Sequence, residues 1–332
     1  FRKFRKNFTS QTSQTSQTSQ TQLIMLIIEI HATSHVGRVR KGNEDNFLLL
    51  QLSNTKTWTS SQDPEESIIE SQKFEIDEQG IVLAVSDGMG GALAGEVASE
   101  MAVETVSSRL LNEDPDATLT DDGPRSALIE RLYDATVYAN HLIHNRGRTD
   151  PQFSGMGATF TSVGITPDAI DLLQVGDSRA YLIRNVKIYQ VTKDQSLVQQ
   201  LIDSGQITAE EAETHALKNV ILQALGAQNE VYPVPARLIP QRDDLLLLCS
   251  DGLSNKLPAE DLLRVVLDNL DDLGNACQVL VSEANERGGE DNITLILAKL
   301  SGSGLMEPTD DPVVIHPLTF GDIHDTADQD TA

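Results

Sequence analysis

Short apolar runs rich in β-branched residues recur along this chain, and that rhythm limits the available folds more than any other feature. "IIEIHATSHVG", "NFLLLQL", "IVLAVSD", "ATFTSVGIT", "AIDLLQVGD", "AYLIRN", "KIYQVT", "DLLLLCSD" and "NITLILAKL" each read as a strand. Helical stretches lie between them in two pairs. Residues 92–111 offer Val97, Met101, Val106 and Leu110 for packing, and residues 125–146 carry Leu128, Leu132, Ala135, Ala139 and Leu142 at steps of three and four. The second pair fits 258–271 and 274–287, where Pro258 suits a first helical turn and Gly274 a break. Many antiparallel-type strands with two helix pairs imply an α+β fold rather than a doubly wound one. The expected architecture is a four-layer α-β-β-α sandwich, two antiparallel sheets flanked by helix pairs.

The ends of the chain read differently from its middle. Residues 1–24 set a basic cluster before a Ser/Gln/Thr triplet repeat without apolar period, a pattern expected to be disordered. The run "LIMLII" that follows is short for a secretory signal, carries Glu29 and precedes no small-residue cleavage site, so it reads as a first strand. Met25 is a candidate start of translation. Residues 25–300 are expected to form one domain and 301–332 an acidic, flexible tail. Within the domain, about 192–225 reads as a helical excursion of the kind that forms a flap near a site, since Ser196 with Gln199 and Thr208 with Glu211 each match a capping box. The stretch "NTKTWTSSQDPEESIIESQKFEIDEQG" reads as a long polar connection.

Charge narrows the partners. Asp and Glu number 50 against 25 Lys and Arg, a formal net charge of −25 that repels nucleic acid and anionic lipid. No stretch is long and apolar enough to span a bilayer. The two cysteines, Cys249 and Cys277, make no disulfide framework and fit a reducing compartment, so a cytoplasmic monomer is expected.

Where the acidic residues sit matters more than their number. They fall at the ends or starts of apolar runs in "RKGNEDN" (Glu44, Asp45), "SDGMGG" (Asp87), "VGDSRAY" (Asp177), "CSDGL" (Asp251) and "GGEDNIT" (Glu290, Asp291). An Asp-Gly pair alone reads as a turn, because glycine takes positive φ freely and aspartate hydrogen-bonds its own backbone. If the strand ends lie side by side, these carboxylates meet. Two of them about 4 Å apart repel by roughly 4 kcal/mol at an effective dielectric near 20, a cost that a cation offsets. All-oxygen ligands favour Mg²⁺ or Mn²⁺ over zinc. Other chemistries find no pattern: His141 and His144 lie outside the helical stripe and read as surface residues, "GMGG" lacks the lysine of a phosphate loop, and neither a serine elbow nor a His-Glu-x-x-His is present.

The order and flanking residues of the acidic motifs resemble the metal-dependent protein phosphatase family, type 2C, in its bacterial form, over roughly residues 31–300. The resemblance implies two Mn²⁺ or Mg²⁺ ions in a cleft at one end of the sheets, with hydrolysis of phosphoserine and phosphothreonine by direct attack of a metal-bridging hydroxide. It assigns Asp87 as the bridging ligand, the Gly88 carbonyl, Asp251 and Asp291 as further ligands, Glu44 and Asp45 to the surrounding shell, and Arg40 to the phosphate. Asp177, with Asp251 and Asn219, matches a looser third-metal site. Implied partners are phosphorylated proteins, substrates of a bacterial serine/threonine kinase. Met89 stands where many eukaryotic members carry histidine, which leaves water as the expected proton source. The flap departs from the family pattern at Gln195 and at Leu217, Lys218 and Asn219. Two other classes stay open beside the enzyme: a non-catalytic, metal-filled module that binds phosphoproteins, and a calcium-binding acidic protein, for which no twelve-residue loop is present.

Overall fold

The computed structural model describes residues 26–60, 68–112 and 128–319. The expected disordered head, Met25, the start of the 125–146 helix and the end of the tail lie outside the described residues. In chain order the elements are strands β1 (Leu26–His35), β2 (Asp45–Gln51), β3 (Lys56–Thr59), β4 (Ile68–Ile76) and β5 (Ile81–Met89), then helices α1 (Ala92–Asn112) and α2 (Leu128–Thr149). There follow β6 (Gly157–Ala158), β7 (Phe160–Ile165), β8 (Ile170–Val175), β9 (Arg179–Arg184) and β10 (Lys187–Gln190), and the short helices α3 (Leu197–Asp203) and α4 (Ala209–Glu213). The last part holds β11 (Val234–Leu238), β12 (Leu245–Cys249), α5 (Asp251–Ser254), α6 (Ala259–Asp268), α7 (Leu273–Glu286), β13 (Ile293–Ser301) and β14 (His316–Pro317).

The strands form two sheets, ordered β10-β9-β12-β13-β1-β4 and β14-β11-β8-β7-β5-β2-β3. Neighbouring strands on these paths pair antiparallel. The pleat explains why central strands read as unbroken apolar runs. In β5, Leu83 and Val85 enter the core between the sheets, while Val82 and Ala84 point outward and pack under α1 and α2. In β12, Leu246 and Leu248 face inward, while Leu245, Leu247 and Cys249 meet α6 and α7. Three apolar layers between four structural ones give the α-β-β-α sandwich that the sequence implied.

Several local expectations need correction. The supposed polar connection contains β3 and β4, and β4 was hidden because it is an edge strand that exposes most of its length and carries charge there. Trp58 of β3 and Phe74 of β4 meet across the sandwich with ring centroids 5.5 Å apart and close that side of the core. On α2 the buried stripe ends at Ile143 rather than Leu142. On α1 the fully buried residues include Ala98, Ala102 and Val103, with Val97 and Met101 only partly buried. Part of the tail up to residue 319 packs against the domain: Leu305 is buried, β14 extends the sheet beyond β11, and the partly buried Leu318 packs against the core that α1 and α2 cover.

Candidate metal centre

All the strand ends that carry the acidic motifs point the same way. β5, β8 and β12 end, and β2, β9 and β13 begin, at one end of the sandwich. Parity decides what each terminus presents. Asp87 follows Leu83 and Val85 by steps of two and shares their face toward the other sheet, and Asp45 shares the face of Phe47 and Leu49. The inter-sheet core therefore ends in carboxylates. Asp45 lies opposite Asp87 in the β2–β5 register, and Ser250 at the end of β12 donates its hydroxyl to Asp45 Oδ2 at 2.7 Å, tying the two sheets together.

A cleft of ≈ 240 Å³ opens at this end, and Arg40, Glu44, Asp87, Gly88, Asn219, Asp251 and Asp291 all line it. Asp45 lies behind its wall. Asp177 sits beside it on the turn 176–178 between β8 and β9, close enough to feel the charge of Asp251. Thr159, Met89 and Ile221 complete the wall around the glycines at 90 and 91.

Burial and mutual repulsion act together on the acids. Asp45 is pushed up to about 7, first by desolvation and then by the charges of Asp251 and Asp291, against hydrogen bonds from Ser250 and Thr294. Desolvation, followed by Asp45, Asp251, Asp177 and Asp291, holds Asp87 well above the ordinary range. Asp251 is raised by desolvation and by Asp291, offset in part by its hydrogen bond with Asp87. Glu44 is raised by desolvation, against Arg40. Asp177 reaches about 7 through burial, Asp251 and Asp194. Opposite charge favours ionisation and burial disfavours it, so such a cluster ionises fully only with a cation.

Arg40 supplies part of that positive charge. Its Nη2 donates to Asp291 Oδ2 at 2.9 Å and its Nη1 lies 3.5 Å from Glu44 Oε1. Among the described residues no three His, Cys, Asp or Glu side chains are gathered tightly enough to enclose an ion as they stand. The carboxylates share a cleft rather than a point. The donor set still fits hard divalent cations: it is entirely oxygen, Asp87 and Asp251 are raised by burial and then by neighbouring acids, and the backbone around Gly88 is drawn in closely. Gly88 continues β5 without positive φ, and the turn comes at Gly90 (φ 116°) and Gly91 (φ 93°). Glycine is needed at 88 because a Cβ would fall on the carbonyls of Gly95 and Glu44. Gly252 is constrained likewise by the Asn292 carbonyl, so neither Asp-Gly pair is the simple positive-φ turn.

Polar residues without a sequence signal hold these acids in place. Asn292 accepts the Glu44 amide at 2.8 Å and donates to the carbonyls of Val36 and Gly42 at 2.9 and 3.0 Å, pinning the loop that carries Arg40. Thr159 Oγ1 accepts the Asp87 amide at 2.9 Å and lies 2.8 Å from Ser178 Oγ. Ser99 donates to the Glu44 carbonyl at 2.6 Å. Their partners lie from 19 to 256 residues away in sequence. The histidines read as surface residues divide: His141 is exposed, whereas His144 is half-buried with Nδ1 3.0 Å from the Gly226 carbonyl.

Known proteins resemble the chain throughout this region. The family model described as protein phosphatase 2C matches residues 69–283. The serine/threonine phosphatase Stp of Listeria welshimeri is 35% identical over 264 residues, covering 79% of this chain and 92% of that protein. The serine/threonine protein phosphatase PstP of Mycobacterium tuberculosis is 36% identical over 217 residues, 65% of this chain but 40% of that longer protein. Among solved structures, the catalytic domain of PstP in complex with two manganese ions superposes with a TM-score of 0.63 at 31% identity, covering 83% of this chain and 99% of that one. With the sandwich and its acidic end, these matches show that the chain belongs to the protein phosphatase 2C family.

Proposed function

We propose that this chain is a metal-dependent serine/threonine phosphoprotein phosphatase whose centre takes two Mn²⁺ or Mg²⁺ ions. The observation that carries the reading is the shared cleft of Glu44, Asp87, Asp251 and Asp291, drawn from separate strand ends, in which burial first and neighbouring acids second raise Glu44, Asp87 and Asp251. Asp87, Asp251 and Asp291 with the Gly88 carbonyl are the proposed ligands, and Glu44 and Asp45 stand in the surrounding shell. When bound, the ions supply acidified water as the attacking group and neutralise phosphoryl oxygens.

The chain's own residues do the rest. The Arg40 fork, already turned into the cleft, pairs two phosphoryl oxygens and offsets charge as the serine or threonine oxygen departs. That pairing exchanges Asp291 for substrate. Met89 carries no proton to give, so solvent protonates the leaving oxygen. Asp177, Asp251 and Asn219 are the proposed set for a third, looser cation. Residues 25–300 are the proposed catalytic domain, with the flap at about 192–225 over the cleft. The proposed substrates are phosphoproteins made by a bacterial serine/threonine kinase, and the proposed setting is a cytoplasmic monomer. Among the described residues no helix is long and apolar enough to cross a membrane.

Hydrolysis of a small aryl phosphate and a phosphothreonine peptide, with Mn²⁺ and with chelator, tests the reading. Turnover of both with Mn²⁺ only is expected. Tight binding of the peptide without release of phosphate, under both conditions, would leave a non-catalytic phosphoprotein-binding module instead.

A further inference from the structure

The flap and the turn that carries Asp177 are separated by the β9–β10 hairpin but meet at one residue. Gln195, where the sequence departs from the family pattern, holds the turn at two points: the Gly176 amide donates to Gln195 Oε1 at 2.7 Å, and the Gln195 amide donates to the Gly176 carbonyl at 2.9 Å. The same residue reaches the far arm of the flap, because its carbonyl accepts the Leu222 amide at 2.7 Å. Leu197 donates to the Val220 carbonyl at 2.9 Å, and Ser196 and Ile221 form an antiparallel bridge. This far arm brings Asn219 and Ile221 into the cleft wall.

The turn is held equally firmly from the opposite side. Gly176 sits at φ 98°, a conformation a side chain would strain, and a Cβ there would strike Thr159. Ser178 meets Thr159 Oγ1, which also accepts the Asp87 amide. Gln174 Nε2 donates to the carbonyls of Gly176 and Ser178 at 2.9 and 2.8 Å. An unbroken series of hydrogen bonds thus runs from the Asp87 backbone through Thr159 and the turn to Gln195 and the flap arm. Gln195 is its link between strand scaffold and flap.

We infer that Gln195 is a positioning residue that makes the Asp177 turn and the cleft-lining flap arm one unit: its side chain fixes the turn that carries Asp177, and its carbonyl holds the arm that carries Asn219 and Ile221. The inference rests on the proposed phosphatase site for its consequence, but its physical content is the coupling, which is measurable without turnover. Gln195→Met keeps the side-chain length and removes the acceptor; Gln195→Glu keeps an acceptor for the Gly176 amide. Ser196→Ala serves as a control, because it removes the α3 cap and leaves both Gln195 contacts with the turn.

Amide hydrogen exchange on the full chain reads the coupling directly. In Gln195→Met, exchange is expected to rise about three- to tenfold, the factor one hydrogen bond is worth, at Gly176 and at Leu222 and Leu197 together. Gln195→Glu should restore slow exchange at all three, and Ser196→Ala should leave Gly176 unchanged. With activity as the second readout, Gln195→Met should raise KM for a phosphothreonine peptide by a similar factor while kcat on an aryl phosphate stays within about twofold. Faster exchange at Gly176 alone, or an equal loss of kcat on both substrates, would overturn the inference. Absence of any phosphatase activity together with coupled exchange would instead retain the coupling and reject the proposed function.

Discussion

Asp45 and Asp87 face each other directly across the β2–β5 pair, on the face that otherwise builds the core between the sheets. Like charges directly opposite on paired strands are destabilising, and burial multiplies the cost. The fold tolerates the pair here because the strands end in a cleft where positive charge can enter. The metal requirement and the stability of this protein should therefore be linked.

That linkage has a sign. Asp45 titrates at about 7 in the fold against an ordinary 3.8, so the folded chain holds an extra proton between those values. Without divalent ions, the Asp45 contribution to stability is fully present below about pH 4 and is lost as pH rises toward 7, by a few kcal/mol at most. Asp45→Asn, which keeps an oxygen for Ser250, should flatten this loss in chelator and make Mn²⁺ less stabilising. Urea unfolding at pH 5 and 8, with Mn²⁺ and with chelator, checks both statements; a wild-type protein equally stable at both pH values in chelator would contradict them.

Arg40 lies between two acids, so its removal separates two roles. Arg40→Ala should lower kcat/KM for a phosphothreonine peptide about 100-fold, as loss of a donor to a charged transition state does. Mn²⁺ affinity should stay or rise, because the guanidinium no longer competes for Asp291 and Glu44. Calorimetric titration with Mn²⁺ beside steady-state kinetics distinguishes this from a residue that merely supports the metals, whose loss would weaken Mn²⁺ binding.

Gly88→Ala tests the tight backbone around Asp87. The added methyl meets carbonyl oxygens of Gly95 and Glu44, both main chain and neither able to swing away. A cost of about 3 kcal/mol or more is expected, read as a lower thermal midpoint. Gly91→Ala, where a Cβ meets nothing within 4 Å, should cost less, chiefly through its positive φ.

His31 offers a pH test far from the cleft. It is buried under α7 with neither ring nitrogen hydrogen-bonded, and burial lowers its pKa from 6.5 despite the pull of Asp272 and Glu70. The unfolded chain takes up this proton first, so the His31 contribution to stability is present above about pH 6.5 and is lost as pH falls. His31→Leu should be neutral or stabilising by about 1 kcal/mol at pH 7 and should gain more at pH 5.5. Denaturation curves at the two pH values that show the gain shrinking on acidification would refute this.

Much of the fold was legible because its central strands are buried on both faces, which turns "IVLAV" and "LLLLC" into unbroken apolar runs. β4 was not: its exposed edge carries Glu70, Gln72 and Lys73, residues that keep an edge from pairing with other chains and that read as a polar connection. The acids of the cleft stood out because each interrupts or abuts an apolar run. Thr159, Ser178, Ser250 and Asn292 did not, since a serine or threonine in a strand is ordinary and only distant partners give it a role. The two Asp-Gly pairs carried the right residues for a reason the sequence could not reveal, namely the close approach of another backbone.

The most direct test of the account measures bound Mn²⁺ and released phosphate on the same samples of wild type and Asp87→Asn. Wild type should bind two Mn²⁺ tightly and release phosphate from a phosphothreonine peptide, and Asp87→Asn should lose at least one tightly bound ion and at least about 100-fold in kcat. A variant that keeps both ions and its turnover, or a wild type that hydrolyses the peptide equally well in chelator, would contradict it.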